Sequence, residues 1–123
     1  MAKPRGTYRA PPRGDAARIC WLIEEATAAA FAVPVDELRA PSRRAPAVAF
    51  ARQCAMYLAH IALGLHYSEI GRLFRRDRTT AAHACQLVED RREDPLTDRV
   101  LQMLEQLCGD LKRGIHATPQ VRL

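Results

Sequence analysis

The stretch Arg75-Arg76-Asp77-Arg78-Thr79-Thr80 gathers cations, a carboxylate and two hydroxyls in consecutive residues. A guanidinium fork suits guanine O6 and N7, or a phosphate. An aspartate accepts from cytosine N4, and threonine offers a hydroxyl plus a methyl for thymine. Arg72 stands just before this run, and Arg43-Arg44 lies in a second basic stretch between Ala40 and Pro46. Read by residue type, Asp77, Arg78, Thr79 and Thr80 could read base edges, while Arg72, Arg75 and Arg76 could hold phosphates. The same pattern also fits a helix cap beside a solvated basic face. Other chemistry finds little support. His60, His66, His83 and His116 are scattered, and Cys20, Cys54, Cys85 and Cys108 are isolated with no C-x-x-C pair. Metal sites and disulfides are therefore not expected, and the cysteines read as reduced core thiols. No nucleophile and base stand at informative spacing, so no enzymatic activity and no cofactor are expected.

These residues must be positioned by helices, because the apolar pattern is helical throughout and no strand is evident. Asp15 is placed to cap a first helix reaching about Ala32, with Ile19, Leu22, Ile23, Ala26 and Ala30 on one stripe. Val33-Pro34 breaks it, and Val35 to Leu38 fits one short turn. A helix from about Ala47 to Leu63 follows, with Val48, Ala51, Ala55, Leu58 and Ala62 on one face, widened by Cys54 and Ile61; Gly64 ends it. A short helix, Tyr67 to Phe74, a tight basic turn and a longer helix capped by Asp77 and reaching about Arg92 make a helix-turn-helix. Ala81, Ala84, Cys85 and Val88 should face inward. Pro95 opens a last helix with Leu96, Val100, Met103, Leu104, Leu107 and Leu111 as its stripe. The expected fold is all-α, five or six helices, with Trp21, Leu22, Phe31, Leu58, Ile70, Phe74 and Leu107 in or near one core. Glu24-Glu25 and Glu89 to Asp94 read as solvated faces.

Composition agrees with one small domain. The chain has 123 residues, 48% hydrophobic and 27% charged, with net charge +5. All 19 basic residues but Lys3 and Lys112 are arginine. Residues 1–14 carry Lys3, Arg5, Arg9 and Arg13 without an acid, and Pro4, Pro11 and Pro12 oppose helix. The expected division is a flexible basic arm over 1–14, a folded domain over 15–113 and a flexible tail over 114–123. No apolar run approaches the ~20 residues of a membrane span, and the N-terminal stretch lacks the apolar core of a signal peptide. A cytoplasmic, nucleoid-associated protein is expected. A basic balance of this kind points to nucleic acid or another anionic surface.

Three segments match a known family in order and spacing. Ala51-Arg52-Gln53-Cys54-Ala55-Met56-Tyr57-Leu58-Ala59 resembles the helix before the helix-turn-helix in the C-terminal DNA-binding domain of DnaA, the bacterial replication initiator. Ser68-Glu69-Ile70-Gly71-Arg72-Leu73-Phe74 resembles its PEIG-x-x-F segment. Arg76-Asp77-Arg78-Thr79-Thr80-Ala81-Ala82-His83-Ala84-Cys85 resembles its RDHTTVLHAC signature, with one residue fewer in the turn after Phe74. The resemblance covers roughly residues 20–111 and implies an all-helical, Trp-repressor-like domain reading double-stranded DNA. By position it implies base readout by Asp77, Arg78, Thr79, Thr80 and Ala82. It implies backbone contact by Arg52 and a phosphate contact by His83. Arg78 replaces the family's histidine, Ala82 its leucine or isoleucine, and Phe50 stands where the resemblance implies an arginine entering the minor groove. Readout of the usual DnaA box is thereby altered.

The phosphate loop of an ATPase, G-x-x-x-x-G-K-[ST], is absent, so the chain reads as the DNA-reading module alone. It resembles the DnaA-like half of gene transfer agent activators of alphaproteobacteria. That implies a transcription regulator working with a sigma-like subunit or another protein that contacts RNA polymerase. Part of the leucine-rich last helix, or the tail after Gly114, could dock such a partner; the same leucines could equally serve only to close the core. The competing readings are a replication regulator at origin sites and a protein-binding adaptor that has lost DNA contact. No small-molecule substrate and no membrane are expected.

Overall fold

The computed structural model describes residues 14–41 and 45–116. Six helices succeed one another: α1 (Asp15–Ala30), α2 (Val35–Arg39), α3 (Pro46–Leu63), α4 (Tyr67–Phe74), α5 (Arg78–Arg91) and α6 (Pro95–His116). Among the described residues there is no strand, so the all-α expectation holds. Arg43 and Arg44, the basic arm up to Arg13 and residues 117–123 lie outside the described residues, and α6 continues to His116.

Local chemistry explains the helix ends. Pro46 and Pro95 each occupy the first helical position, where a missing N–H costs nothing. Asp94 caps α6: its carboxylate accepts from the Thr97 backbone N–H at 2.9 Å and from the Thr97 hydroxyl at 2.8 Å. Those two bonds hold its pKa below the usual aspartate range. Asp15 is not a cap but the first residue of α1, paired with Arg18 at 3.1 Å. α3 ends on Gly64 in the left-handed region, φ 68°. α4 ends the same way on Arg75, φ 58°, a conformation that costs an L residue about 1–2 kcal/mol.

α3 is the central element and packs against each of the other five helices. Its inward positions are small, with Ala51, Cys54, Ala55 and Ala59 all fully buried, so neighbouring backbones approach closely. Leu58, Ile70 and Phe74 lie in the core as expected, joined by Met56, Val88 and Leu101. Trp21, Leu22 and Phe31 are half-buried. All four cysteines are buried and unpaired.

Several expected faces turn differently. In α6 the inward residues are Leu101, Leu104 and Cys108, while Leu96, Met103 and Leu107 are exposed; Leu107 is thus not a core residue. In α1 the buried residues are Ile19, Cys20, Ile23, Thr27 and Ala28, and Ala30 is exposed. Ile61 of α3 is also exposed. A cluster of ion pairs and hydrogen bonds lies on the polar edge of α6. Arg92 donates to Asp98 at 2.6 Å, to Glu105 at 3.0 Å and to the Tyr57 hydroxyl at 3.1 Å. Tyr57 in turn donates to Glu89 at 2.6 Å. This latch ties α3, the end of α5 and one face of α6 together. Glu24 and Glu25 are likewise not simply solvated. Arg39 donates to both, at 2.9 and 3.3 Å, and lies over the Trp21 ring. Burial pushes the Glu24 carboxyl up, with the Arg39 guanidinium opposing.

Candidate nucleic-acid interface

The interface begins with how two helices are joined. Ile70, fully buried, anchors α4. The next residue, Gly71, meets the start of α5 so closely that a Cβ there would lie 2.5 Å from the Arg76 carbonyl oxygen. The Arg76 N–H donates to the Gly71 carbonyl at 2.7 Å, closing the turn around the left-handed Arg75. This short junction aims the start of α5 outward.

On α5 the inward face is Ala81, Ala84, Cys85 and Val88, as expected from spacing. Opposite it, Asp77, Arg78, Thr79, Thr80 and His83 are exposed and Ala82 is half-buried. Asp77 occupies the cap position, but its side chain makes no capping bond. The expected base-reading residues therefore converge on one projecting ridge. A hollow lies on each flank. One is lined by His66, Tyr67, Ser68, Arg78, Thr79 and Ala82. The other is lined by Gln53, Thr79, Thr80, His83 and Ala84, and a further hollow above it is bounded by Pro41, Pro46, Arg52, Arg76 and Thr80.

The arginines fall into different groups. Arg18, Arg39, Arg92 and Arg113 are ion-paired to carboxylates. Arg72, Arg75 and Arg78 are exposed around the helix-turn-helix, and no ion pair engages them among the described residues. No acid lies within the first turn of α5, and the Asp77 carboxylate at its cap position faces the positive end of the helix dipole. Arg52 and Arg76 differ from both sets. Arg52 is buried and donates to the carbonyls of Leu38 at 2.8 Å, Glu37 at 3.2 Å and Ala40 at 3.3 Å. Arg76 donates to the carbonyls of Ala40 and Arg75. Phe50 packs edge-on against Phe31, ring centroids 5.6 Å apart, with the Arg91 guanidinium 4.8 Å above it.

Spacing alone missed Gln53, which lines two of the three hollows. The available signal was an uncharged polar residue beside Arg52 on a mainly apolar helix. Among the described residues no group of three His, Cys, Asp or Glu side chains could hold a metal, and no helix is long and apolar enough to cross a membrane.

A short helix, a closed turn and a second helix with its first turn projecting define a helix-turn-helix domain. Comparison with known proteins gives the family. The model for the bacterial DnaA helix-turn-helix matches residues 21–88, and the chain belongs to that family, which supports DNA binding. Proteins named chromosomal replication initiator protein DnaA are similar over this region. The one from Desulfotalea psychrophila is 34% identical over 70 residues, covering 57% of this chain and 14% of the relative. That from Clavibacter sepedonicus is 42% identical over 86 residues, covering 62% and 18%. That from Acinetobacter baumannii is 40% identical over 78 residues, covering 62% and 17%. The chain thus spans less than a fifth of the length of these relatives.

Proposed function

We propose that this protein binds double-stranded DNA sequence-specifically and regulates transcription together with a protein that contacts RNA polymerase. The observation that carries the DNA reading is the exposed ridge at the start of α5, with Arg78, Thr79 and Thr80 presented between two hollows and no ion pair engaging Arg72, Arg75 or Arg78. In this reading α5 lies in the major groove. Asp77, Arg78, Thr79, Thr80 and Ala82 read base edges, while Arg72, Arg75 and His83, with Arg43 and Arg44, meet the backbone. Arg78 prefers guanine through two parallel hydrogen bonds. Arg72, Arg75 and Arg78 alone account for a log–log salt slope of about −3 if each meets a phosphate, and about −2 if Arg78 reads a base.

Selection from a random duplex pool tests the readout. The expected site holds a G·C pair under Arg78, and Arg78→Ala relaxes preference at that pair alone, at a cost of about 1–3 kcal/mol. Recovery of one unchanged site by both proteins would refute base reading by Arg78. Genome-wide occupancy tests the role. Peaks at promoters support regulation of transcription. The names of the similar proteins favour origin sites as the second reading, and peaks confined to the origin would establish that one instead.

A further inference from the structure

We infer that Arg76, although it sits in the recognition turn, is a positioning residue and not a phosphate contact. It clamps the start of α5 to the connection between α2 and α3. This inference rests on the DNA-binding reading above and refines which arginines act in it.

The geometry is specific. Nη2 of Arg76 donates to the Ala40 carbonyl at 2.9 Å, thirty-six residues away in sequence, and Nη1 donates to the Arg75 carbonyl at 3.0 Å. Ala40 is also bound by Nη2 of Arg52 at 3.3 Å. Arg52 further holds the Leu38 and Glu37 carbonyls. These carbonyls lie at and just beyond the end of α2, at its negative pole; that of Glu37 also accepts from the Ala40 N–H at 3.2 Å. Two guanidinium groups from different elements therefore converge on one carbonyl oxygen. The Arg76 backbone is pinned as well, through its N–H on Gly71. The residue immediately before the α5 cap is thus held from α4 by its backbone and from the α2–α3 connection by its side chain.

Both Nη groups of Arg76 already serve protein carbonyls, whereas Arg72, Arg75 and Arg78 carry no such bonds. Releasing the clamp leaves the phosphate-facing charge in place but frees the start of α5 to shift. Sequence discrimination depends on that alignment to within a fraction of an ångström. Charge neutralisation does not.

Two measurements test this. The first uses the unaltered chain and the NMR signals of its arginine guanidinium groups. In the free protein the Arg76 Nη protons should exchange slowly with water, while those of Arg72 and Arg75 average freely. A short random-sequence duplex should shift Arg72, Arg75 and Arg78 and leave Arg76 in place. The second compares variants on the best selected duplex and on a random duplex. Arg76→Ala should lower the specific-to-random affinity ratio about tenfold with the salt slope unchanged. Arg72→Ala should reduce the slope by about 0.9. Free rotation of the Arg76 guanidinium in the unbound chain, or a slope reduced by about 0.9 in Arg76→Ala, would overturn the clamp. If no duplex shifts Arg72, Arg75 or Arg78, the DNA-binding reading fails instead, and the free-chain measurement still judges the clamp.

Discussion

Gly71→Ala is the sharpest perturbation of the recognition turn. The added Cβ would lie 2.5 Å from the Arg76 carbonyl oxygen and 3.1 Å from both the Arg78 nitrogen and the Asp77 carbonyl carbon. The first distance is about 0.9 Å short of the 3.4 Å at which ordinary contact begins. All three neighbours are backbone, so no side-chain rotation relieves the overlap; the start of α5 must move as a block. Overpacking of this kind costs about 1–3 kcal/mol, here at the upper end, and alanine returns up to ~1 kcal/mol as the better helix former. The net expectation is a loss of about 2 kcal/mol, a fall of roughly 8–16 °C in Tm for a domain this small. Thermal unfolding followed by circular dichroism measures it. Gly109→Ala serves as the control: its Cβ would meet only the Arg113 guanidinium, at 3.5 Å, and alanine there should stabilise by up to ~1 kcal/mol. Because the displaced block carries Asp77 and Arg78, the surviving folded fraction should also lose site preference. A Gly71→Ala protein that melts at or above the parent temperature and selects the same duplex would refute this account of the turn.

Three other outcomes are expected. Burial pushes the Cys20 and Cys54 thiols up to about 12 and those of Cys85 and Cys108 to about 11, so none is a thiolate at pH 8, and all four should react with a thiol reagent only as the chain opens; rapid labelling of the native chain would contradict the packing. Asp94→Ala should lower Tm near neutral pH. Because the folded carboxyl has the lower pKa, the Asp94 contribution is present above the unfolded value, about 3.9, and disappears as pH falls through the folded one, so parent and variant should converge in acid melts. Finally, Leu101→Ala should cost about 2–5 kcal/mol and Leu107→Ala less than about 1 kcal/mol, since Leu101 is fully buried and Leu107 is 39% exposed; equal denaturant midpoint shifts would restore the helix phase expected from the sequence.

That last pair shows where sequence reading stopped. Helix ends at Gly64 and Pro95 were legible because those residues act locally, and the helix-turn-helix was legible because its residues are contiguous; Pro46, read as the end of a loop, instead opens α3. The rotation of α6 was not. Leu96, Met103 and Leu107 form an apolar row as regular as Leu101, Leu104 and Cys108, and spacing alone offers no choice between them. In the structure Arg92 bonds to Asp98 and Glu105 on that polar edge and to the Tyr57 hydroxyl of α3. Arg92 with Glu105 joins residues thirteen apart, and Arg39 with Glu24 and Arg76 with Ala40 lie farther apart still, so spacing within one helix gives no sign of them. That Asp77, Arg78, Thr79 and Thr80 stand together at the start of one helix was legible from type and position. The division of its arginines between paired, structural and unpaired was not, because an arginine announces its charge but not its acceptor.

Asp77, Arg78, Thr79 and Thr80 share one further property. All four are exposed, and among the described residues none of their side chains takes part in a hydrogen bond or an ion pair. Nothing in the interior depends on which side chains stand there. Substitutions on this ridge should therefore change the preferred target while leaving folding stability nearly untouched. Descendants of one ancestral domain can diverge in address this way, each retaining the same α3 interior and Gly71 junction, without passing through an unstable intermediate. If the ridge reads DNA as proposed, relatedness in the scaffold says little about shared binding sites, and one or two replacements on a single helical turn would suffice to separate the targets of two copies.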